Sequence, residues 1–328
     1  MLGLCAPRAR FVARLRKAVM RFFYNGLVNL RQIEYFLRVA ELQSFTRAAV
    51  SLGVTQPSLS RQIRLLEVEL RQTLLHRNGR GVRLTPAGEC LHEHAQTIVQ
   101  AVQRAVGALN DLRADPRGRV VIGLPTRIAR VLTTDLVHAF RREFPHASIT
   151  VSEGSSSALH EWLLLGRIDL ALLFDPPPGP DLELELLHTE ELVLVEPRAP
   201  RARAAGARAS LPLKDLQKYP LILPRSPNAT RTVLEAAVAR FGLTLEVSTE
   251  VDTVQNILEL VAARVGYAVL PLGAVTNARS DRVRIARIHS PVLQQHLFLA
   301  LSRRHPKNRL ANELVRLVRA ADLPGHLG

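Results

Sequence analysis

Residues 44–62, Ser44-Phe-Thr-Arg-Ala-Ala-Val-Ser-Leu-Gly-Val-Thr-Gln-Pro-Ser-Leu-Ser-Arg-Gln62, leave the chain few ways to fold. Ser44 is a good helix N-cap, because its hydroxyl can accept from the free amides of a first turn. Phe45, Ala48, Ala49 and Leu52 then recur at helical spacing. The two alanines are small enough to let a neighbouring helix come close. Gly53 ends this helix, since glycine adopts a left-handed backbone at little cost. Thr55 is placed to cap a second helix, and Pro57 fits its first turn, where no amide partner is lost. Leu59, Ile63, Leu66 and Leu70 supply that helix with an inner stripe. Two short helices meeting at a tight turn form a helix-turn-helix.

The outer face of the second helix carries Gln56, Pro57, Ser58, Ser60, Arg61, Gln62 and Arg64, and the head of the first carries Ser44, Thr46 and Arg47. These groups can hydrogen-bond to base edges and phosphates of double-stranded DNA. The competing reading is a plain helical hairpin with a solvated polar face. The flanks argue against it. Upstream, Leu30–Ala40 is amphipathic, with Ile33, Phe36, Leu37 and Ala40 on one side. Downstream, Leu74–Thr85 has a hairpin signature, with the turn dipeptide Asn78-Gly79 and basic residues at Arg77, Arg80 and Arg83. Three helices followed by a basic hairpin make a winged helix-turn-helix. Over residues 28–87, nine Arg and no Lys stand against four Glu, nine minus four, a net of +5. Such charge favours phosphate contacts and makes binding fall with salt.

These residues resemble the LysR-type transcriptional regulators. The resemblance runs from Leu30-Arg-Gln-Ile-Glu-Tyr-Phe through Ser44-Phe-Thr-Arg-Ala-Ala, Gln56-Pro-Ser-Leu-Ser, Ile63-Arg-Leu-Leu-Glu67 and Leu84-Thr-Pro-Ala-Gly88, and extends over about residues 28–320. Leu75 departs from it, since relatives usually carry an aromatic before the wing. The fold expected is multidomain. A winged helix-turn-helix domain (28–87) and a long linker helix (88–117) precede an α/β domain of two lobes resembling periplasmic binding proteins (118–328). Lobe I would take 118–193 and 272–320, and lobe II 194–271.

From Thr85 to about Arg113, Leu91, Ala95, Ile98, Val102, Ala105, Leu109 and Leu112 recur at alternating steps of four and three. That is a heptad seam. Placed after a DNA-binding unit, it predicts a dimerising coiled coil, with Leu91, Ile98, Val102 and Leu109 on the seam, because paired heads match a palindromic site. The resemblance implies a dimer of dimers. Asp115-Pro-Arg-Gly118 reads as a hinge.

Beyond it, strand and helix patterns alternate, which predicts parallel sheets covered by helices. Val120–Leu124, Ser148–Ser152 and Ile168–Phe174 read as strands, with helices over Val131–Phe144 and Ser157–Leu165. Glu191–Val195 leads into the second lobe, and Tyr267–Pro271 leads back. Arg198–Ser210, rich in Ala and Arg, reads as a loop. In open α/β sheets ligands sit beyond the carboxyl ends of strands, at helix heads with free amides. On that basis Thr126, Ser155, Ser156, Ser226 and Thr253 are expected to line a small-molecule effector cleft. Arg127 or Arg225 would hold an anionic group by a bidentate contact. Arg127 stands where relatives often carry Ser or Thr. The competing reading is that these hydroxyls only cap helices and the arginines are solvated.

The remaining features bound the function. The chain has a formal charge of +15 and a hydrophobic content of 47%, so it can build sizeable cores and favours an anionic partner. Its two cysteines, Cys5 and Cys90, form no disulfide framework or metal spacing, and none lies in 119–328, which excludes a thiol-based sensor there. No phosphate-binding P-loop, GxSxG elbow or HExxH is present, and Asp169 and His160 stand alone, so neither a catalytic site, a metal nor a cofactor is expected. An enzyme and an effector-free architectural protein are the other readings weighed. No apolar run approaches the ~18 residues of a membrane span. A cytoplasmic, nucleoid-associated protein is expected, with promoter DNA, an effector, further copies of itself and RNA polymerase as partners. Residues 1–27 hold six basic residues and no acid. A basic arm for DNA or a membrane surface is one reading. The other, which we favour, is a stretch upstream of the true start, because the resemblance begins at Val28-Asn-Leu-Arg-Gln, where relatives open with Met.

Overall fold

The computed structural model of the chain describes residues 29–78, 81–110, 118–198, 209–277, 282–304 and 308–323. The basic segment 1–27, the wing tip at 79–80, the hinge at 111–117 and most of the Arg198–Ser210 stretch lie outside the described residues. The chain divides into two compact units near Arg104.

In the first unit, α1 (Leu30–Leu42) starts at a capping box. Asn29 accepts from the Arg31 amide at 3.0 Å, and the Gln32 side chain accepts from the Asn29 amide at 3.0 Å. The inner face of α1 runs through Gln32, Ile33, Tyr35, Phe36 and Val39. Leu37 and Ala40, expected on that face, are only half-buried, because α2 (Phe45–Leu52) and α3 (Gln56–Leu70) both pack on the Phe36–Val39 side. Phe45, Ala48 and Ala49 of α2 meet Leu59, Ile63 and Leu66 of α3 in one core with Phe36. Burying each large side chain of this kind contributes roughly 1.5–3 kcal/mol. Gly53 separates the two helices at φ 65, and its amide donates back to the Ala49 and Val50 carbonyls. Thr55 occupies the N-cap of α3 but makes no side-chain cap bond, and Pro57 lies in the first turn.

The wing follows. β1 (Leu75–Asn78) and β2 (Gly81–Leu84) pair antiparallel from Leu75↔Leu84 to Asn78↔Gly81. Leu74, Leu75 and Val82 turn into the helical core, so leucine at 75 fills a core position. Thr85 then starts α4 (Pro86–Asn110). Its hydroxyl donates to the Thr73 carbonyl at 2.6 Å and accepts from the Gly88 amide at 2.9 Å. A Cβ at Gly88 would strike the Leu74 carbonyl oxygen. The Thr-Pro-Ala-Gly run is therefore a tight junction of wing and helix. Ala87 and Leu91 pack against the core just described, whereas Val102 and Val106 further along α4 are exposed.

The second unit opens with parallel strands β3 (Gly118–Pro125), β4 (Ala147–Gly154) and β5 (Leu170–Phe174), crossed by α5 (Thr126–Glu143) and α6 (Ser156–Leu164). The order β4-β3-β5 puts a topological switch point between β3 and β5. The helix expected from Val131 begins at Thr126 instead, because Pro125 ends the strand and the helix starts at once. Asp169 is structural: its carboxylate accepts from the Val121 amide at 2.7 Å.

β6 (Leu182–Pro197) is far longer than the expected Glu191–Val195. After it come β7 (Ser210–Pro212), β8 (Leu221–Leu223), α7 (Ala229–Arg240), β9 (Val247–Glu250), α8 (Val254–Ala262), β10 (Ala268–Pro271), α9 (Leu272–Asn277), β11 (Val283–His289), β12 (Gln294–Ser302) and α10 (Arg309–Ala320). One end of β6, Leu182–Glu191, pairs with β12, which also pairs with β5. The other end, Leu192–Pro197, lies between β10 and β11. One strand thus belongs to the sheets of both lobes. Return to the first lobe was expected at 272. It comes later, because β11 still pairs with the second-lobe end of β6 and with β7, and only β12 re-enters the first lobe's sheet.

Candidate functional site

In α3, Pro57 and Arg61 lie opposite the buried Leu59–Ile63–Leu66 stripe, and Gln56, Ser60 and Arg64 recur at steps of four along its flank. Gln56, Pro57, Ser58, Arg61 and Arg64 are exposed, and Ser60 is half-buried. Three other expected residues also serve the fold. Ser44 caps α2, accepting from the Arg47 amide at 3.3 Å. The Arg47 guanidinium donates to the Leu42 carbonyl at the end of α1. Gln62 is half-buried and accepts from Gln32 at 3.4 Å, tying α3 to α1. Thr46 is exposed, as is Arg83 on β2, while the Arg77 side chain and Arg80 lie outside the described residues. Glu67 was missed by sequence reasoning. Its Oε1 accepts from the amides of Leu74 at 2.9 Å and Leu75 at 3.2 Å, which anchors the wing to α3.

In the second unit the expected hydroxyls sit at helix heads. Thr126 is the exposed first residue of α5, whose N-terminus has no side-chain cap. Ser155 caps α6 by accepting from the Ala158 amide at 3.2 Å. Ser156 accepts from the Phe174 amide at 2.9 Å, binding α6 to the end of β5. Ser226 is exposed, and Thr253 holds the N-cap of α8 without a side-chain cap bond.

The two arginines do not offer open forks. Arg127 lies in the first turn of α5, at the switch point, with its guanidinium 5.0 Å from the Phe174 ring centroid. Nη1 donates to Glu190 Oε2 at 3.2 Å and Nη2 donates to Oε1. The side chains are 19% and 3% exposed, so this is a bidentate and largely buried ion pair. Arg225 donates through Nε at 3.0 Å and Nη2 at 2.5 Å to Asp252 Oδ2, and its amide donates to Oδ1 at 3.0 Å. The Arg225 side-chain hydrogen bond, backed by the amide, holds the Asp252 carboxyl below its ordinary value. Each fork is filled by a carboxylate of the chain itself, so an anionic group reaching either arginine would have to share or displace that partner.

Glu190 was invisible in the sequence. It sits on β6 at the crossing between lobes, and its register partner on β12 is Gln295. Gln295 is buried and accepts from the buried Thr230 hydroxyl of α7 at 3.3 Å. A line of buried polar groups thus runs from the head of α5 in one lobe to the head of α7 in the other.

Residues 30–89 match the family model for bacterial regulatory helix-turn-helix proteins of the lysR family, and residues 113–322 match the LysR substrate binding domain. The nitrogen assimilation regulatory protein Nac of Klebsiella aerogenes is 33% identical over 279 residues, 84% of this chain and 90% of that protein. The transcriptional dual regulator GltC of Bacillus subtilis is 34% identical over 245 residues, 74% of this chain and 81% of its own. Among solved structures, full-length OxyR from Pseudomonas aeruginosa superposes with a TM-score of 0.67 at 23% identity, covering 90% of this chain and 96% of that one. Full-length CbnR complexed with its target DNA gives 0.66 at 24%, covering 89% and 99%. A winged helix-turn-helix joined to a two-lobed α/β domain, matched along both parts by these models, places the chain: it belongs to the LysR family, and it is a DNA-binding transcriptional regulator with an effector-binding domain.

Proposed function

We propose that α3 reads promoter sequence through Gln56, Ser58, Ser60, Arg61 and Arg64, and that Pro57 and Gln62 set its depth and angle in the major groove. Ser44, Thr46 and Arg47 would meet the backbone beside it, and wing residues Arg77, Arg80 and Arg83 a neighbouring groove or phosphate. The observation that carries this reading is the exposure of Gln56, Pro57, Ser58, Arg61 and Arg64 on α3, held rigid from behind by the fully buried Leu59, Ile63 and Leu66. Loss of one good bidentate base contact narrows sequence discrimination by about 1–3 kcal/mol. The test is competitive binding of the upstream intergenic DNA against scrambled DNA. Gln56→Ala and Arg61→Ala should each shrink the gap between the two, and an unchanged gap in both would remove α3 from base reading.

We further propose that a second copy of the chain covers the exposed Val102 and Val106 of α4, pairing the heads for a two-fold site, with Ile98 on the same seam; the Leu109 side chain, also expected on the seam, lies outside the described residues. Leu91 shares its surface with the helical core. A small-molecule effector would seat between the lobes near Thr126, Arg127, Ser155, Ser156, Ser226 and Thr253, and bias how the paired heads meet the promoter, a coupling of about 1–3 kcal/mol. RNA polymerase would be the partner that reads out the change. Among the described residues no helix is long and apolar enough to cross a membrane, in keeping with work in the cytoplasm, where the DNA is.

A further inference from the structure

We propose that Glu190 sets the chemical class of the effector: a zwitterion, carrying both a carboxylate and an ammonium, that enters between Arg127 and Glu190. The inference rests on the reading that the effector seats between the lobes at the head of α5.

Arg127 and Glu190 form a bidentate pair at the switch point, and the glutamate is 3% exposed. Among the described residues, Arg127 is the one cation recorded in contact with Glu190. An anion that took Arg127 would strand a buried carboxylate, and a stranded buried charge is strongly unfavourable. A simple cation that took Glu190 would strand the guanidinium instead, which is held against Phe174. An uncharged ligand would leave the pair closed and meet only its outer N–H groups and lone pairs, with no charge to replace either partner. A zwitterion alone can open the pair and leave two pairs in its place, its carboxylate on Arg127 and its ammonium on Glu190.

The surroundings fit that orientation. The head of α5 has no side-chain cap, so its first amides and dipole favour the carboxylate end beside Arg127. Glu190 lies on the strand shared by the two lobes and faces Gln295 across the ladder, with Thr230 beyond. An ammonium drawn to Glu190 therefore arrives at the crossing itself, where a ligand can act on both lobes at once.

The test uses the full chain and a panel of free α-amino acids, each paired with its deaminated keto-acid analogue and its carboxamide. Thermal unfolding and calorimetry would read binding. At least one amino acid should raise the melting temperature, and its keto acid and its amide should each bind about tenfold or more weakly, since each lacks one charge-assisted contact. Glu190→Gln keeps the shape and frees Arg127, so the preference should invert towards the keto acid. If Glu190→Gln does not fold, the double change Arg127→Gln with Glu190→Gln strands no charge and should erase discrimination among the three forms. A wild-type protein that takes the keto acid as well as the amino acid, binds no amino acid, or keeps its preference in both variants would overturn the proposal. Thr126→Tyr, which fills the head of α5, separates the two levels. If it leaves binding of the ligand found unchanged, the seat between the lobes is wrong. If it abolishes binding of a ligand that is not zwitterionic, the seat stands and the role of Glu190 falls.

Discussion

Asp252 faces Arg225 across two loops of the second lobe, and both side chains are more than half exposed. The Arg225 side-chain hydrogen bond is the main cause that lowers the Asp252 carboxyl from its ordinary 3.8. A carboxyl lowered in the folded state contributes stability above its unfolded value and loses it as pH falls through the folded one. The clamp should thus be intact at neutral pH and open only below 3.8. An NMR titration of Asp252 should find a midpoint under 3.8 that rises in Arg225→Ala but stays below that value, because the amide of residue 225 still donates to Oδ1. Solvent screens so exposed a pair, so melting at neutral pH should barely change. At this scale the sequence was legible where the chemistry is local. Gln56, Arg61 and Arg64 stand out because a helical period and adjacent turn signals put them on an outer face. Glu190 could not be found that way. Its partner Arg127 is 63 residues distant, and no pattern within one element announces a pairing of that range.

Gly53 and Glu67 hold the first unit together at the scale of elements. Gly53 has φ 65, and a Cβ there would meet nothing within 4 Å. Gly53→Ala should therefore cost only backbone strain, about 1 kcal/mol in denaturant unfolding. A much larger loss would point to a contact the turn does not contain. Glu67→Ala removes the acceptor of two amides at the base of the wing. Leaving buried donors unpaired costs about 1–3 kcal/mol. The variant should also bind DNA more weakly, because the wing loses its anchor to α3. Wild-type affinity in a variant with lowered stability would separate anchoring from DNA contact. Helices and buried strands were readable from periodicity, β6 only in part. Its first half alternates Leu and Glu from Leu182, but a strand spanning two lobes is half-exposed at one end and buried on both faces at the other, so no single pattern marks its length. β11 went unread because its fate depends on partners far along the chain, the end of β6 and β7.

For the whole molecule, the exposed Val102 and Val106 predict self-association. A chain carrying Val102→Asp with Val106→Asp should sediment as a smaller species than the wild type and lose affinity for a two-fold site more than for a half-site. An unchanged sedimentation coefficient would move the pairing surface elsewhere. The two-part organisation was legible because a change from helical repeats to alternating strand and helix patterns is a global signal. The point of return between lobes was not, since it is decided by which end of β6 each later strand joins. That shared strand has a further consequence. Side chains on a strand alternate faces, so one residue added or removed within Leu182–Pro197 would turn one lobe's half of the ladder over relative to the other's unless a bulge took it up. β6 already carries one residue without a partner, Leu187, opposite the Leu297–Phe298 step of β12, so the point where the ladder can absorb a change of length lies within the first lobe's half of the strand.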